Sequence, residues 1–316
     1  MAIHRLMRQA ASGVSATLEA TVAAVWRAGK DRLAVLRHRM TTSLNRNATT
    51  AAVPAAPPDE TVRLGGVEVA VWHPAAATTG PAPLVIFSHG FNGCSTQSSF
   101  LMRALAADGC LVLAPSHRDA ARGGAPAATG KPERPFRDAA TWDDRTHADR
   151  AEDIQAVVAG LRGDTAWAAR ADLCRVVLAG YSLGGYTVLG LAGGWPAWQL
   201  DGVGIKAVLA LAPYCEPFVS KGTLAHLSVP VMYQGGTRDH LTPTVKRPGG
   251  AYASTGGKTV LVELAKAGHL AWTDGQSRHH ADIVHYSRLF LATHLGVEAR
   301  SQAVQKRGTA ALVRVK

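Results

Sequence analysis

The sequence predicts an α/β protein with a mostly parallel central sheet of about eight strands and helices on both faces. Short apolar runs such as Leu84–Phe87 and Leu111–Pro115 recur along the chain, with helical patterns between them. A third apolar run, beginning at Val176, leads directly into the glycine-rich segment Gly180–Gly185. Continuous apolar runs are typical of strands buried in parallel sheets. Strands that alternate with helices build such sheets.

Residues 1–58 are predicted to be a basic, amphipathic extension followed by an Ala/Pro-rich linker. Apolar residues recur at steps of three and four between Ile3 and Met40, with Arg and Lys on the other faces. Such a helix fits a peripheral membrane or protein contact; the alternative is a loosely attached extension. Glu19 interrupts the only apolar candidate for a secretory signal, and no transmembrane span is evident, so a cytoplasmic location is expected.

The net charge of +11 is carried by the two ends of the chain. Residues 1–58 contain eight Lys/Arg and two acidic residues, and residues 299–316 contain five Lys/Arg and no acid. Residues 59–298 are neutral overall, so we assign the folded domain to them and a basic tail to 299–316. A neutral domain argues against a nucleic-acid partner, because phosphate recognition requires Lys and Arg clustered on one face.

Within residues 59–298 the elements are predicted in a regular order. Thr61–Trp72 contains two alternating apolar segments around a Gly-Gly turn, which predicts an antiparallel pair. Further strands are expected at 84–87, 111–115, 176–181, 207–211, 229–233 and 258–264, and helices at 95–107, 147–161 and 283–295. The stretch 117–145 lacks periodicity, and a loop of that length is usually functional or mobile.

The segment Gly180–Gly185, with sequence GYSLGG, predicts a nucleophilic serine at a strand-to-helix turn. Side chains at Gly180 and Gly184 would collide with neighbouring backbone in so tight a turn. The turn exposes the Ser182 hydroxyl and leaves the Leu183 amide at a helix N-terminus, where it can donate to an oxyanion. The alternative is an ordinary glycine-rich turn.

A serine nucleophile needs a histidine base and an acid that fixes the histidine's tautomer. Asp239 follows the strand 229–233, and His269 follows the last strand after a glycine, in the order Ser, Asp, His. The predicted catalytic residues are therefore Ser182, Asp239 and His269. An N-cap role is the alternative for Asp239. His240, beside the acid, is predicted to line the substrate pocket.

The second oxyanion donor is expected after the strand 84–87, and the Phe91 amide fits because a glycine precedes it. His89 is interpreted as a structural hydrogen-bonding residue. No cofactor and no metal are predicted, because the four cysteines have no metal-ligand spacing. A bridge between Cys94 and Cys215 is left open.

The chain from Val62 to Leu295 resembles serine α/β-hydrolases in four segments taken in order: His89–Gly93, Gly180–Gly185, the strand leading to Asp239, and Gly268-His269. It is most similar to dienelactone-hydrolase-like proteins, platelet-activating-factor acetylhydrolases and cutinase-like polyester hydrolases. The resemblance implies an α/β-hydrolase fold. Resemblance to the polyester hydrolases also implies that Phe91 and Tyr214 line the acyl pocket.

These residues predict a carboxylic ester hydrolase that acts through a Ser-His-Asp triad and an acyl-enzyme intermediate. The expected substrate is a small-molecule or polymeric ester. Amides, thioesters and acyl transfer pass through the same tetrahedral intermediate, so an amidase, a thioesterase or an acyltransferase is the first alternative. A non-catalytic binding protein with the same fold is the second.

Overall fold

The computed structural model describes residues 56–75, 80–121, 136, 138–296 and 310–316. The described residues all belong to one compact unit of the chain, which lies within residues 53–316. The predicted amphipathic extension, with its membrane or protein contact, therefore lies outside the described residues. Residues 122–135 and 137 of the 117–145 stretch also lie outside the described residues.

A nine-stranded sheet forms the centre of the compact unit. Its strands, in chain order, are β1 Glu60–Leu64, β2 Val67–Trp72, β3 Ala82–Ser88, β4 Leu111–Pro115, β5 Ala171–Tyr181, β6 Ile205–Leu211, β7 Val231–Gly236, β8 Thr259–Leu264 and β9 Ala310–Val315. Their order in space is β1-β2-β4-β3-β5-β6-β7-β8-β9. The pairs from β4 through β8 are parallel, whereas β1–β2, β2–β4 and β8–β9 are antiparallel. The predicted fold class, a mostly parallel α/β sheet, is confirmed.

The ninth strand lies in the segment that the sequence analysis assigned to a basic tail. Ala310–Val315 pairs antiparallel with β8, with Val313 opposite Val262. Leu312 is half-buried and packs against the core. The folded sheet therefore extends beyond residue 298, because the apolar residues here join the sheet even though the segment carries a net positive charge.

Seven α-helices are described. They are α1 Ser99–Ala107, α2 Ala148–Gly163, α3 Thr165–Ala168, α4 Leu183–Leu189, α5 Glu216–Lys221, α6 Ala251–Ser254 and α7 His280–Leu295. A π-helical turn, Gly190–Gly194, continues α4. None of the described helices has the length and apolarity needed to cross a lipid bilayer.

Helices cover both faces of the sheet, and successive strand residues alternate between the two cores. In β3, Leu84 and Ile86 pack into a core that contains the buried face of α2. Val85 and Phe87 pack into a second core, together with α1 and α7. Because side chains alternate across a strand, a central strand covered on both faces is apolar throughout. This accounts for the apolar run Leu84–Phe87 in the sequence and for the burial of every residue from Ala82 to Ser88 in the structure.

The parallel strands all end at one edge of the sheet, here called the carboxyl edge. The predicted site residues come from loops that follow β3, β5, β6, β7 and β8. In open α/β sheets ligands bind at this edge. The fold therefore gathers residues that lie far apart in the sequence.

Candidate active site

Ser182 lies at the turn between β5 and α4, with backbone angles φ 54° and ψ −114°. A Cβ on Gly180 would lie 2.2 Å from the Gly184 carbonyl oxygen, and a Cβ on Gly184 would lie 1.9 Å from the Ser88 carbonyl oxygen. Neither approach leaves space for a side chain. The turn therefore requires glycine at both positions, as the sequence analysis predicted.

The backbone of Ser182 is held by hydrogen bonds to the end of β6, to the loop that follows β6 and to α4. Its N–H donates to the Leu211 carbonyl at 3.0 Å, and its carbonyl accepts from the N–H of Tyr214 at 2.9 Å. The N–H of Tyr186, in the first turn of α4, donates to the same carbonyl at 3.2 Å. These bonds maintain a conformation that non-glycine residues rarely adopt.

Ser182, His269 and Asp239 form a continuous chain of hydrogen bonds. Ser182 Oγ lies 2.9 Å from His269 Nε2, and His269 Nδ1 lies 2.9 Å from Asp239 Oδ2. A carboxylate accepts only, so Nδ1 carries the proton and Nε2 is free to accept the serine hydroxyl proton. The His269 side chain is 11% exposed and that of Asp239 is 3% exposed. The arrangement can activate the serine as a nucleophile.

Asp239 is fixed by its own turn. Its Oδ1 accepts from the N–H groups of Leu241 at 2.9 Å and Thr242 at 3.1 Å, and its Oδ2 accepts from Thr242 Oγ1 at 2.8 Å. Burial raises the pKa of the Asp239 carboxyl, but the hydrogen bonds from His269 and Thr242 outweigh it, so the pKa lies below its ordinary value. The carboxylate therefore stays ionised beside the imidazole.

Tyr181 was not identified as a site residue from the sequence. Its hydroxyl donates to the His269 carbonyl at 3.0 Å, and the two rings lie 5.2 Å apart. Tyr181 is buried. The available signal in the sequence was the position of Tyr181 directly before Ser182. Because side chains alternate along a strand, its ring points to the face opposite that of its neighbour Gly180. It connects the nucleophile's strand to the loop that carries the base.

The two predicted oxyanion donors lie just after the carboxyl ends of the neighbouring strands β3 and β5. Leu183 is the first residue of α4, where an amide has no acceptor within its helix. Phe91 lies in the turn that follows β3. Gln97, also not identified from the sequence, supports that turn, because its Oε1 accepts from the Gly90 N–H at 2.8 Å. A Cβ on Gly93 would lie 2.5 Å from the same oxygen, so the turn packs tightly on Gln97.

The predicted pocket residues Phe91 and Tyr214 are half-buried, and both contact Phe136. The ring centroids of Phe91 and Phe136 are 5.6 Å apart, and those of Tyr214 and Phe136 are 5.1 Å apart. Trp142 packs against both Tyr214 and Phe136, with ring centroids 5.0 and 5.5 Å away. His240 is exposed. The structure therefore places Phe91 and Tyr214 in one aromatic cluster, which does not include His240.

The cysteines and candidate metal ligands were also compared with the predictions. All four cysteines are free thiols, so the bridge considered between Cys94 and Cys215 is not formed. Within the described ranges, no group of three or more His, Cys, Asp and Glu side chains is arranged to hold a metal ion.

The chain was compared with models of known protein families. The family model of platelet-activating factor acetylhydrolase, isoform II, matches residues 61–134. This segment spans β1 to β4 with the turn from His89 to Gly93, covers less than a quarter of the chain, and ends before Ser182. A search of the curated proteins finds no match. For the part that it covers, the family match supports the resemblance predicted from the sequence.

Proposed function

We propose that this chain, which has the α/β-hydrolase fold by its strand order and by the family match, is a serine carboxylic ester hydrolase. The observation that carries the proposal is the hydrogen-bonded chain from Ser182 through His269 to Asp239, with Ser182 on a strained turn. Such a chain activates a serine hydroxyl, which is otherwise a poor nucleophile.

In the proposed reaction Ser182 Oγ attacks the ester carbonyl carbon while His269 Nε2 accepts the hydroxyl proton. Asp239 stabilises the resulting imidazolium and keeps it oriented. The Phe91 and Leu183 amides donate to the oxyanion of the tetrahedral intermediate. His269 then gives its proton to the leaving alkoxide, which departs as the alcohol and leaves an acyl-enzyme on Ser182.

Hydrolysis of the acyl-enzyme repeats these steps with water as the nucleophile. His269 accepts a proton from water, the hydroxide adds to the acyl carbon, and the acid leaves as Ser182 regains its proton. The half-buried rings of Phe91 and Tyr214 provide an apolar wall for the acyl group of a small-molecule or polymeric ester. The name of the matching family, an acetylhydrolase, also favours hydrolysis of an acyl ester.

The test is hydrolysis of p-nitrophenyl esters from acetate to palmitate by the full chain. We expect turnover by the wild type, and loss of at least about 10⁴-fold in kcat for Ser182→Ala and for His269→Ala. Asp239→Asn should lower kcat by about 10³-fold to 10⁴-fold, because it favours the wrong imidazole tautomer. Ser228→Ala, at an exposed serine before β7, is the matched control and should keep full activity.

A wild type that hydrolyses no ester, or that hydrolyses esters as fast as Ser182→Ala does, would contradict the proposal. The same protein would then be assayed with p-nitroanilides, with acyl thioesters and with an added alcohol acceptor. Labelling of Ser182 by an organophosphonate separates those reactions from a non-catalytic binding protein, which would not be labelled.

A further inference from the structure

A second, fully buried polar cluster lies beneath the turn that carries Phe91, and the reaction proposed above does not use it. Its members come from the end of β3, the loop after β4 and the first turns of α2. They are Ser88, His89, His117, Asp119, Arg150 and Asp153. Each is at most 7% exposed. Buried charges are expensive unless they are paired, so the cluster calls for an explanation.

Arg150 is the centre of the cluster, and each of its five guanidinium N–H groups has an acceptor. Nε and Nη2 donate to the two carboxylate oxygens of Asp119, at 3.1 and 2.9 Å. Nη1 donates to the His89 carbonyl at 2.7 Å and to Ser88 Oγ at 3.4 Å. Nη2 also donates to the Gly90 carbonyl at 3.2 Å. The guanidinium therefore holds two consecutive backbone carbonyls of the turn.

The ring of His89 also donates a hydrogen bond to the Gly90 carbonyl. Its Nε2 accepts from the His117 N–H at 3.1 Å, so its proton lies on Nδ1, which donates to the Gly90 carbonyl at 2.8 Å. The N–H of Gly93 is a third donor to that carbonyl, at 3.0 Å. Three donors thus fix the direction in which the Gly90 carbonyl points.

The remaining members, Ser88, His117 and Asp153, form a second serine–histidine–aspartate chain of hydrogen bonds. This chain is buried, unlike a site that must admit a substrate. Ser88 Oγ lies 2.8 Å from His117 Nε2, and His117 Nδ1 lies 3.0 Å from Asp153 Oδ2. Ser88 and His117 are completely buried, so this serine cannot meet a substrate. Burial and the nearby Arg150 hold the pKa of His117 well below its ordinary value. The neutral ring keeps Nε2 as an acceptor and adds no second cation beside Arg150.

The fixed carbonyl determines where the Phe91 amide points. The peptide between Gly90 and Phe91 is planar and trans, so its N–H and its C=O point in opposite directions. With the carbonyl directed into the cluster, the Phe91 N–H is directed out of it. The turn that carries Ser182 packs on the turn that carries Phe91, since a Cβ on Gly184 would lie 2.8 Å from the His89 carbonyl oxygen.

We propose that the Arg150–Asp119 ion pair, with His89, positions the Phe91 amide as an oxyanion donor. Asp119 orients the guanidinium, the guanidinium and His89 hold the Gly90 carbonyl, and the peptide plane transmits that orientation to the Phe91 N–H. None of these side chains touches the substrate. The inference rests on the proposed function, because it assigns a role within the proposed reaction.

The experiment measures kcat and KM separately, with the p-nitrophenyl ester that the wild type hydrolyses fastest. Asp119→Asn and Arg150→Lys should lower kcat by at least about tenfold, with KM changed by less than about threefold, because the oxyanion forms only in the transition state. The kcat of the double variant should be no lower than that of Arg150→Lys alone, because both substitutions act on the same ion pair. Asp108→Asn and Arg288→Lys are control substitutions, since Arg288, on α7, donates to both carboxylate oxygens of Asp108, at the end of α1, and neither residue belongs to the cluster; they should keep kcat.

A kcat within twofold of the wild type in folded Asp119→Asn and Arg150→Lys would overturn the inference. So would a raised KM with an unchanged kcat, which would indicate a role in substrate binding. A wild type that hydrolyses no ester would remove the proposed function and this inference together. An active wild type with unaffected variants would remove the inference alone.

If Asp119→Asn and Arg150→Lys do not fold, two substitutions of His89 test whether the cluster positions the Phe91 amide. Asn places an amide N–H near the position of Nδ1 and can still donate to the Gly90 carbonyl, whereas Gln places its amide near Nε2. His89→Asn should therefore keep a kcat at least about fivefold above that of His89→Gln. Equal values, or the reverse order, would overturn the inference.

Discussion

Ser182 has a positive φ of 54°, a conformation that raises the energy of a residue with a side chain. Such strain amounts to about 1–3 kcal/mol and persists where the surroundings determine the backbone. At Ser182 the surroundings are the hydrogen bonds to Leu211, Tyr186 and Tyr214. The proposed nucleophile is therefore held in place at the expense of stability.

Replacing Ser182 should separate stability from activity. Ser182→Gly and Ser182→Ala both lack the hydroxyl and should be inactive, but glycine tolerates the positive φ and alanine does not. After allowing for the greater freedom of glycine in the unfolded chain, we expect Ser182→Gly to be about 1 kcal/mol more stable than Ser182→Ala. Urea unfolding at neutral pH measures the difference. An alanine variant as stable as the glycine variant would show that the turn is not strained.

The residues of the proposed triad could be predicted because each follows a strand that the sequence shows clearly. Asp239 and His269 come after apolar runs, and Ser182 lies between two glycines. The Arg150–Asp119 pair could not be predicted in this way, because its two residues lie 31 positions apart and Asp119 lies in a stretch without periodicity. Only the folded chain brings the guanidinium to the Gly90 carbonyl.

At the scale of elements, the turn that carries Ser182 is where β5, α4 and β3 make backbone contact. A Cβ on Gly184 would lie 1.9 Å from the Ser88 carbonyl oxygen, an atom that cannot move without shifting β3. Gly184→Ala should therefore destabilise the fold by about 3 kcal/mol or more. Gly163→Ala is the matched control, because a Cβ at the end of α2 would meet no atom within 4 Å. Thermal unfolding of both variants checks this, and an equal Tm would refute the contact.

Helix α2 contains a signal that the sequence analysis did not use. Arg150, Ile154, Val157 and Leu161 recur at steps of four, three and four, and all are buried. A charged residue on an otherwise apolar helix face indicates a buried partner. In contrast, β9 was missed because its net charge was given more weight than the apolar residues of Ala310–Val315.

At the scale of the whole molecule, the buried histidines make stability depend on pH. His89 and His117 are completely buried, and burial, then the Arg150 charge, holds the pKa of each imidazole well below its ordinary value. The unfolded chain takes up protons on both rings below pH about 6.5, and the folded chain does not. Stability is therefore unaffected above that pH and falls as the pH is lowered through it.

Each such ring should remove about 1.4 kcal/mol of unfolding free energy per pH unit below about 6.5. Urea unfolding of the wild type between pH 7 and pH 5 measures the total slope. His117→Asn removes one of the rings and should reduce that slope by about 1.4 kcal/mol per pH unit. An unchanged slope would mean that His117 takes up its proton in the folded state as well.

The antiparallel edge strand β9 also has a practical consequence. The chain reaches Lys316 after β9, and the backbone of Lys316 pairs with Thr259, where the parallel strand β8 starts. Ser182 lies at the opposite ends of the parallel strands. A fusion partner or a solid support joined at Lys316 would thus leave the face that carries Ser182 turned toward a bulky or insoluble ester.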